Sequence, residues 1–517
     1  MKKSLFSSFI ALAMLALLTG CGGGSGSGGG TGGGGTTTPA AASLLNGQYA
    51  FTFSGENAAG PLSIAGSFAA DGKGSITGGV EDVTLVKKSN NTIGAQAGLT
   101  LTGTYTVGSD GRGTMTFNTS SDGAQNFAIV IESNNQGQLI WFDNSATGSG
   151  SFSLQDSTAF TAATVSGSFA YGLNGVDPAL EAYSRVGVFT AASGSVSAGE
   201  SDLNNAFGTG GLNLAQTISG GSIGSPNSTT GRGSLSLIYG SLTVKYTYYV
   251  VSKTTLNLVE ADANASVYGT ATTQAGGPFT AASLNGNYVF STGGENTAGA
   301  IAEAGQFNAD GVGTLSGVGD ENFAGTSTQN YTLGGSFASV TANGRGTMEL
   351  DLPVFGGGSG PFVFYIASNN TIYLMEADVD EITSGQVMAQ TGGPFTTASL
   401  MSGGYGLQFS GVDPDGFEID FSGQVTSGGS GTLSSGTIDI NDEDQNQEPF
   451  FFSDPIGAGA YTVTSSTAGR GTLGFTLGSS PFGFAYYFIS PTQIVLIETD
   501  ATGQTTEGNG QTQPTIP

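Results

Sequence analysis

The residues of this chain that could do chemistry are arginines placed at regular intervals. The tripeptide Gly-Arg-Gly occurs four times, at Arg112, Arg232, Arg345 and Arg470, and these are all but one of the five arginines in 517 residues. A guanidinium group binds a carboxylate through two parallel hydrogen bonds, so each arginine requires an acidic partner. The spacings of 120, 113 and 125 residues indicate a tandem repeat.

Candidate partners recur at the end of a late predicted strand in every repeat. We predict that each arginine pairs with the acid of its own repeat, which would tie one end of a domain together. The alternative is that the arginines are solvated residues of turns. The predicted pairs are Arg112 with Asp143, Arg232 with Asp262, Arg345 with Asp378, and Arg470 with Asp500.

A second acidic pattern occurs once per repeat, and its richest copy is the fourth. Oxygen-rich loops can bind Ca²⁺, which prefers carboxylate and carbonyl ligands. No copy has the spacing of a known calcium loop, so a solvated loop is the alternative. Beyond this weak calcium candidate we expect no metal and no cofactor. The candidate residues are Asp439, Asn441, Asp442 and Asp444.

The composition excludes most catalytic machinery. The chain has no histidine and one cysteine, which removes histidine-based triads and histidine metal sites. Glycoside hydrolysis by paired carboxylates is a remote alternative, since acids are numerous but no pair is singled out. A formal charge of −27 disfavours binding to nucleic acid. We therefore expect a protein that is not an enzyme.

The first residues predict export and lipidation. Lys2 and Lys3 precede the apolar run from Phe9 to Leu18, which is too short to span a bilayer and is typical of a signal peptide over residues 1–20. The following Leu18-Thr19-Gly20-Cys21 resembles the lipobox of bacterial lipoproteins. The resemblance implies a lipid-modified Cys21 that anchors the protein in a membrane. The alternative is an ordinary cleaved signal with a chance cysteine.

The resemblance also bears on location. In Gram-negative lipoproteins an Asp after the lipidated cysteine favours retention in the inner membrane, whereas here the residue is Gly22. We therefore expect the outer membrane, with the side of the membrane left open. Residues 21–42 form a tether rich in Gly, Ser and Thr, which behaves as a flexible coil.

The rest of the chain predicts four all-β domains. Each repeat opens with alternating large residues, as in Tyr49, Phe51 and Phe53, which indicates a strand with one buried face. In the first repeat we predict eight short strands joined by turns such as Asp71-Gly72, and this pattern is typical of an antiparallel meander. Such a sheet closes into an up-and-down barrel or folds into a sandwich, and we favour the barrel. The predicted repeats are 43–160, 161–279, 280–395 and 396–513.

The repeats leave two nonenzymatic functions open. A structural or adhesive spacer at the cell envelope would have domains filled solid by side chains. A small-ligand or carbohydrate binder would instead have a cavity open at one mouth of each barrel. The repeats resemble those of exported bacterial lipoproteins of unknown function, which implies no activity, and the envelope partner is unknown. Because a copied module normally has no unique site, we expect no repeat to have chemistry of its own.

Overall fold

The computed structural model describes residues 40–121, 123–133, 135–356, 358–400, 402–443 and 449–514. Cys21, its lipobox and most of the tether lie outside these residues, as does Asp444. The described chain is all-β, and its strands form four closed antiparallel barrels in tandem, so the prediction of barrels is confirmed. None of the helices in the described residues is long and apolar enough to cross a membrane.

Barrel 1 is a meander of eight strands, in which each strand pairs with the next and β8 returns to pair with β1. All eight strands predicted for the first repeat are present. The turn after β2 forms because the Asp71 side chain accepts hydrogen bonds from the Lys73 and Ser75 amides, while Gly72 adopts a φ of +73°. Strands β1 to β8 are Asn46–Asn57, Gly60–Asp71, Ser75–Lys87, Thr92–Val107, Arg112–Thr119, Gly123–Ser133, Gln136–Trp141 and Ala146–Leu154.

Barrels 2 and 3 repeat the same order of strands. Strands β9 to β16 of barrel 2 are Gly167–Val176, Ala182–Ala192, Ser195–Asn205, Gly211–Ile223, Arg232–Tyr239, Leu242–Val250, Thr255–Glu260 and Ser266–Thr273. Strands β17 to β24 of barrel 3 are Asn285–Asn296, Gly299–Asp310, Thr314–Phe323, Thr326–Ala338, Arg345–Asp351, Ser359–Ser368, Thr371–Glu376 and Glu381–Ala389.

Barrel 4 has one additional strand. Eight strands close the barrel through the pairing of β26 with β27, and β28 pairs with β27 beside the short contact of β27 with β29. Strands β25 to β33 are Gly403–Val412, Glu418–Ser427, Thr432–Glu443, Pro449–Pro455, Gly459–Ser465, Arg470–Leu477, Ser480–Ser490, Gln493–Glu498 and Thr505–Thr512.

Short segments before each barrel close its base. The 3-10 helices span Ala40–Leu44, Ser157–Ala159, Ala281–Ser283, Pro353–Phe355 and Thr397–Ser399, and all but the fourth precede a first strand. After each of these four helices an apolar side chain enters the core of the next barrel, which plugs the end where the first strand begins. The opposite end, where the first strand finishes, we call the mouth. The plugging residues are Leu45, Val165, Leu284 and Leu400.

The four barrels form a ring. The first three strands of one barrel pack against the sixth to eighth strands of the next, and barrel 4 packs against barrel 1 in the same way. We call these contact surfaces seams 1–2, 2–3, 3–4 and 4–1. A glutamine after the last strand of each barrel donates to two main-chain carbonyls of the following barrel, and Gln513 makes the same bonds to barrel 1. The sequence predicted closely strung domains, whereas the structure shows a closed arrangement.

Candidate functional site

The four repeated arginines lie at the seams. Each arginine begins the fifth strand of its barrel and points outward, where it forms a two-point hydrogen-bonded pair with an aspartate on the third strand of the preceding barrel. In seam 1–2 the Arg232 Nε and Nη2 atoms lie 2.7 and 2.6 Å from the two carboxylate oxygens of Asp82. Arg345 binds Asp202 at 2.8 and 2.7 Å, and Arg470 binds Asp320 at 2.7 and 2.5 Å.

The fourth pair closes the ring. Arg112 of barrel 1 binds Asp439 of barrel 4, with 3.1 Å between Nε and Oδ2 and a second contact from Nη2 to Oδ1. The two residues are 327 positions apart in the chain. The same pair therefore recurs at every seam, including the one that no chain connection crosses.

The predicted pairing within each repeat is wrong, and strand register gives the reason. Arg112 lies opposite Val130 of β6. Asp143 instead accepts a hydrogen bond from Asn126 Nδ2 at 2.8 Å, and Asn126 lies four residues before Val130 on the same strand. At about 3.3 Å per residue, this separates the two levels by about 13 Å. Own-repeat pairs of Arg112 with Asp143, and of its counterparts, are excluded by this geometry.

The predicted partner acids instead hold their own turns. Asp262 accepts from the Asn264 amide at 3.1 Å, and Asp500 accepts from the Thr502 amide at 2.8 Å. Asp378 accepts from the Asp380 amide at 2.8 Å. These carboxylates fix the hairpin between the seventh and eighth strands, which is a structural role.

The calcium candidate of the fourth repeat is also wrong. The carboxylate of Asp439 is taken by Arg112, and the Asn441 amide donates to the main-chain oxygens of Trp141 and Ala146 at 2.6 and 2.9 Å. Strand alternation places Asp442 on the opposite face of β27. In the described part of the chain, no set of three or more acidic, histidine or cysteine side chains is arranged to hold a metal ion.

In three of the seams a tyrosine donates a further hydrogen bond to the aspartate of the pair. The residue opposite each arginine on the sixth strand is Tyr249, Tyr365 or Tyr487, and its hydroxyl donates to the same aspartate. The Tyr249 and Tyr365 hydroxyls both lie 2.6 Å from the carboxylate oxygen. Seam 4–1 has Val130 at this position, and Ser453 donates to Asp439 instead.

The barrel interiors differ much more than the seams. One layer of inward-facing residues lies near each mouth, and we call it the mouth layer. It is defined by equivalent positions on the first, second, third and seventh strands, matched through the strand register. The mouth layers are Phe53, Ile64, Val83 and Trp141 in barrel 1; Leu173, Arg185, Leu203 and Glu260 in barrel 2; Thr292, Glu303, Glu321 and Glu376 in barrel 3; and Phe409, Phe421, Ile440 and Glu498 in barrel 4.

The mouth layer of barrel 2 contains a buried cation. The Arg185 guanidinium donates to the Tyr183 hydroxyl at 2.9 Å and to Ser201 at 3.2 Å, and its central carbon lies 4.1 Å from the centre of the Tyr239 ring. Aromatic rings stabilise such a cation through their negative faces. Burial raises the pKa of Glu260 well above its usual range. The guanidinium of Arg185 also donates to Gln216 Oε1 at 3.3 Å, so hydroxyl groups, an amide oxygen and aromatic rings surround its charge.

The mouth layer of barrel 3 is acidic where barrel 2 is basic. Glu303 occupies the position of Arg185 and accepts from Thr292 at 2.7 Å, while burial and the nearby carboxyls raise its pKa well above the usual range. Burial raises the pKa of Glu376 to about 8 and, together with repulsion from Glu376, that of Glu381 to about 11. At these two values Glu376 and Glu381 are protonated at neutral pH, since uncompensated buried charge is costly.

Barrels 1 and 4 have mostly apolar mouth layers. In barrel 4 the Phe409 ring stacks on Phe421 at 4.3 Å, and Phe421 lies 5.7 Å from Phe482. In barrel 1 the smaller Ile64 occupies the position of Phe421. In this layer the four copies carry different side chains, whereas the arginine–aspartate pair is the same at all four seams.

Comparison with known proteins identifies no family. No protein-family model matches the chain, and no curated protein matches it. A structure of a protein of unknown function from the DUF3598 family of Nostoc punctiforme aligns with 44% of this chain and 96% of its own, at 9% identity and a TM-score of 0.14. A structure of CghA with Sch210972 aligns with 90% of this chain and 88% of its own, at 7% identity and a TM-score of 0.13. Scores this low carry no argument about fold or function.

The mouth layer was missed because sequence reasoning concentrated on what the repeats share. A usable signal exists: a glycine on the second strand recurs at Gly66, Gly187, Gly305 and Gly423, and the residue two positions earlier is the variable one. Aligning the repeats on this glycine places isoleucine, arginine, glutamate and phenylalanine at one interior position. Opposite charges at equivalent sites are visible in that alignment without coordinates.

Proposed function

We propose that this protein is a lipid-anchored scaffold of the cell envelope, in which a ring of four barrels serves a structural, adhesive or binding role. One observation supports it above the others: the arginine–aspartate pair that joins successive barrels also joins barrel 4 to barrel 1. A closed ring fixes the relative positions of the four barrels, which favours contacts at several points of one partner. An extended stalk, which the tandem sequence also allowed, does not fit this closure.

The anchor is proposed from the sequence alone. Cys21 is the last residue of the lipobox, and a segment of about 20 residues rich in Gly, Ser and Thr separates it from barrel 1. Two or more acyl chains would hold the ring at a membrane stably. The absence of aspartate after Cys21 favours the outer membrane as the destination.

A role without catalysis is part of the proposal. A glycoside hydrolase needs two carboxyls on either side of a cleft that admits a sugar. In barrel 3 the carboxyl groups of Glu376 and Glu381 lie within hydrogen-bond distance of each other, and these side chains are 0% and 1% exposed. Their burial supports a structural role for the acidic mouth layer of barrel 3.

Anchoring is tested by comparing the natural chain with Cys21→Ser in a Gram-negative host. We expect the natural chain to incorporate labelled fatty acid and to fractionate with the outer membrane, and the variant to do neither. Equal membrane association of both proteins would overturn the anchor. A membrane-impermeant label on intact cells then reports which side the ring faces.

The scaffold role is tested separately by opening the ring. Crosslinking in cells expressing the natural chain should capture an envelope partner, and Arg112→Ala should reduce that capture while lipidation remains normal. A matched change that leaves the seams intact, Lys253→Ala on an exposed turn, should have no effect. Undiminished capture by the Arg112→Ala protein, with the ring shown to be open by X-ray scattering, would contradict the scaffold role.

A further inference from the structure

The mouth of barrel 1 contains a cavity whose lining differs in chemistry from the mouth layers of the other barrels. Its volume is about 200 Å³, and its lining includes Leu62, Ile64, Val83, Leu85 and Trp141, together with the side chain of Gln125. The lining also contains the polar residues Asn57, Gln96 and Ser145, so it is more polar than a dry, engineered cavity of ~150 Å³ that binds benzene. The space is therefore sufficient for one six-membered ring or a short aliphatic chain.

Comparison with barrel 4 shows which side chains create the space. Ile64 pairs with Phe53 as Phe421 pairs with Phe409, and Gln125 pairs with Phe117 as Phe482 pairs with Phe475. In barrel 4 the two rings at these positions, Phe421 and Phe482, contact each other at 5.7 Å. Barrel 1 has an isoleucine and a glutamine where barrel 4 has this aromatic contact.

One polar atom on the cavity wall lacks a hydrogen bond. Gln125 is 4% exposed, and its amide nitrogen donates to Glu81 Oε1 at 3.2 Å, which turns the amide oxygen the other way. That oxygen, Gln125 Oε1, has no partner among the described residues. An unpaired buried carbonyl costs about 1–3 kcal/mol, so a donor inside the cavity would be stabilised.

The tryptophan of the cavity is held in place from outside. Trp141 Nε1 donates to Asp143 Oδ1 at 2.8 Å and to Ser145 Oγ at 3.0 Å. Its ring also lies 5.1 Å from Phe127 and 5.6 Å from Phe53 in the packed interior. The indole therefore contributes a fixed apolar surface to the cavity, and its own donor is already satisfied.

We propose that the mouth of barrel 1 binds a small neutral molecule that has one apolar ring or a short aliphatic chain and a hydroxyl or N–H group that donates to Gln125 Oε1. A neutral ligand fits because the lining contains no charged side chain to compensate an ion. Cyclohexanol, phenol and indole belong to this chemical class. The inference goes beyond the scaffold function, which would stand whether or not this cavity binds a ligand.

The test uses Trp141, which is the only tryptophan of the chain. Cyclohexanol is titrated into the full chain carrying Cys21→Ser, and both tryptophan emission and heat of binding are recorded. Cyclohexanone, which has a similar ring but only an acceptor, is the matched probe. We expect a saturable signal with cyclohexanol and at least tenfold weaker binding of cyclohexanone.

Three variants make the result specific to the cavity. Ile64→Phe, which copies barrel 4, should fill the space and abolish the saturable signal while the protein still unfolds cooperatively. Gln125→Leu should remove the preference for cyclohexanol over cyclohexanone. Phe421→Ile alters the equivalent position of barrel 4 and should leave the Trp141 response unchanged.

Each result of these measurements either supports or overturns the proposed binding site. Loss of the signal in Ile64→Phe together with loss of the preference in Gln125→Leu supports the site. Absence of saturable heat and emission change in the starting protein overturns it. An unchanged response in a folded Ile64→Phe protein also overturns it, because binding would then lie elsewhere.

Discussion

Seams 3–4 and 4–1 contain the same arginine–aspartate pair in different surroundings. In seam 3–4 the pair of Arg470 and Asp320 is packed among aliphatic residues and Tyr487. At the equivalent positions seam 4–1 has smaller or polar residues. Val289, Ala302, Ala304, Tyr487 and Val495 of seam 3–4 correspond to Gly406, Asp420, Ser422, Val130 and Gln138 of seam 4–1.

The difference separates two properties of a seam, namely the alignment of its two barrels and the free energy needed to separate them. The pair itself sets how two barrels meet, because its two-point geometry permits one alignment. The surroundings decide how costly separation is, since exposing aliphatic surface to water costs about 25 cal/mol per Å² while amides and hydroxyls regain hydrogen bonds from water. Seam 4–1, which no chain connection crosses, is therefore the seam that opens at the lowest cost.

Removal of the arginine should give the largest difference in unfolding free energy between seams 3–4 and 4–1. Arg470→Ala removes the cation from Asp320, and because the Arg470 and Asp320 side chains are 4% and 0% exposed, we expect a loss of about 3–5 kcal/mol in the free energy of unfolding. Arg112→Ala should cost about 1–3 kcal/mol, because Arg112 is 19% exposed; a hydroxyl group still donates to the aspartate in both variants. Urea unfolding measures both values, and equal losses would contradict the comparison.

Both seams should weaken as pH rises, because each contains buried carboxyl groups, among them Glu507 in seam 3–4 and Glu132 and Asp420 in seam 4–1. Burial raises the pKa of Glu507 in seam 3–4 and of Glu132 in seam 4–1 to about 7, from an ordinary value of 4.5. The folded state therefore keeps a proton that the unfolded state releases, so the stability from each group is full below pH 4.5 and is lost as pH rises through 7. The loss is at most about 3 kcal/mol per group.

Neutral variants test the origin of this pH dependence. Glu507→Gln and Glu132→Gln preserve size and one acceptor oxygen, and Ser291 can still donate to the former. Each variant should lose part of the fall in unfolding free energy between pH 5 and 8. In scattering measurements, Glu132→Gln should also delay the opening of the ring at high pH, whereas Glu507→Gln should not. A pH profile unchanged by either substitution would show that other groups are responsible.

Making seam 4–1 resemble the others should stabilise it. Val130→Tyr introduces the tyrosine of the other seams. Gly406 lies beside this position, whereas seams 1–2 and 3–4 have the larger Ala50 and Val289 beside their tyrosines, so the new ring has more room. The new hydroxyl should donate to Asp439 Oδ2, and we expect a gain of about 1 kcal/mol. The reverse change, Tyr487→Phe, should lose a similar amount in seam 3–4. Destabilisation by Val130→Tyr would mean that the closing seam cannot accept the ring.

The smallest difference between the two seams should follow substitution of the glutamine after the last strand of each barrel. Gln390→Ala and Gln513→Ala each remove an amide that serves two main-chain carbonyls, at 2.7–2.8 Å in one case and 2.9–3.1 Å in the other. We expect each to cost about 1 kcal/mol. Hydrogen exchange should increase around Ile131 only in Gln513→Ala, since barrels 3 and 4 stay linked by the chain. A global increase in both proteins would contradict a local effect.

The sequence by itself determined the architecture of each unit. Alternating residues such as Tyr49, Phe51 and Phe53, with Asp-Gly turns, encode a meander of eight strands through local chemistry, since side-chain direction along a strand has a period of two. The repeat of Gly-Arg-Gly likewise predicted a paired arginine in each copy. Its partner could not be predicted, because that depends on which barrel packs beside it.

Only the tertiary structure decided the ring and the mouth layers. Asp82, Asp202, Asp320 and Asp439 belong to the acidic pattern that occurs once per repeat, and they become partners of arginines because neighbouring barrels bring their outer faces together. Ile64, Arg185, Glu303 and Phe421 align in the sequence, but only the fold shows that this position faces the interior of a barrel near its mouth. Contacts between distant strands, and the burial that raises or lowers a pKa, are properties of packing and have no local signal in the chain.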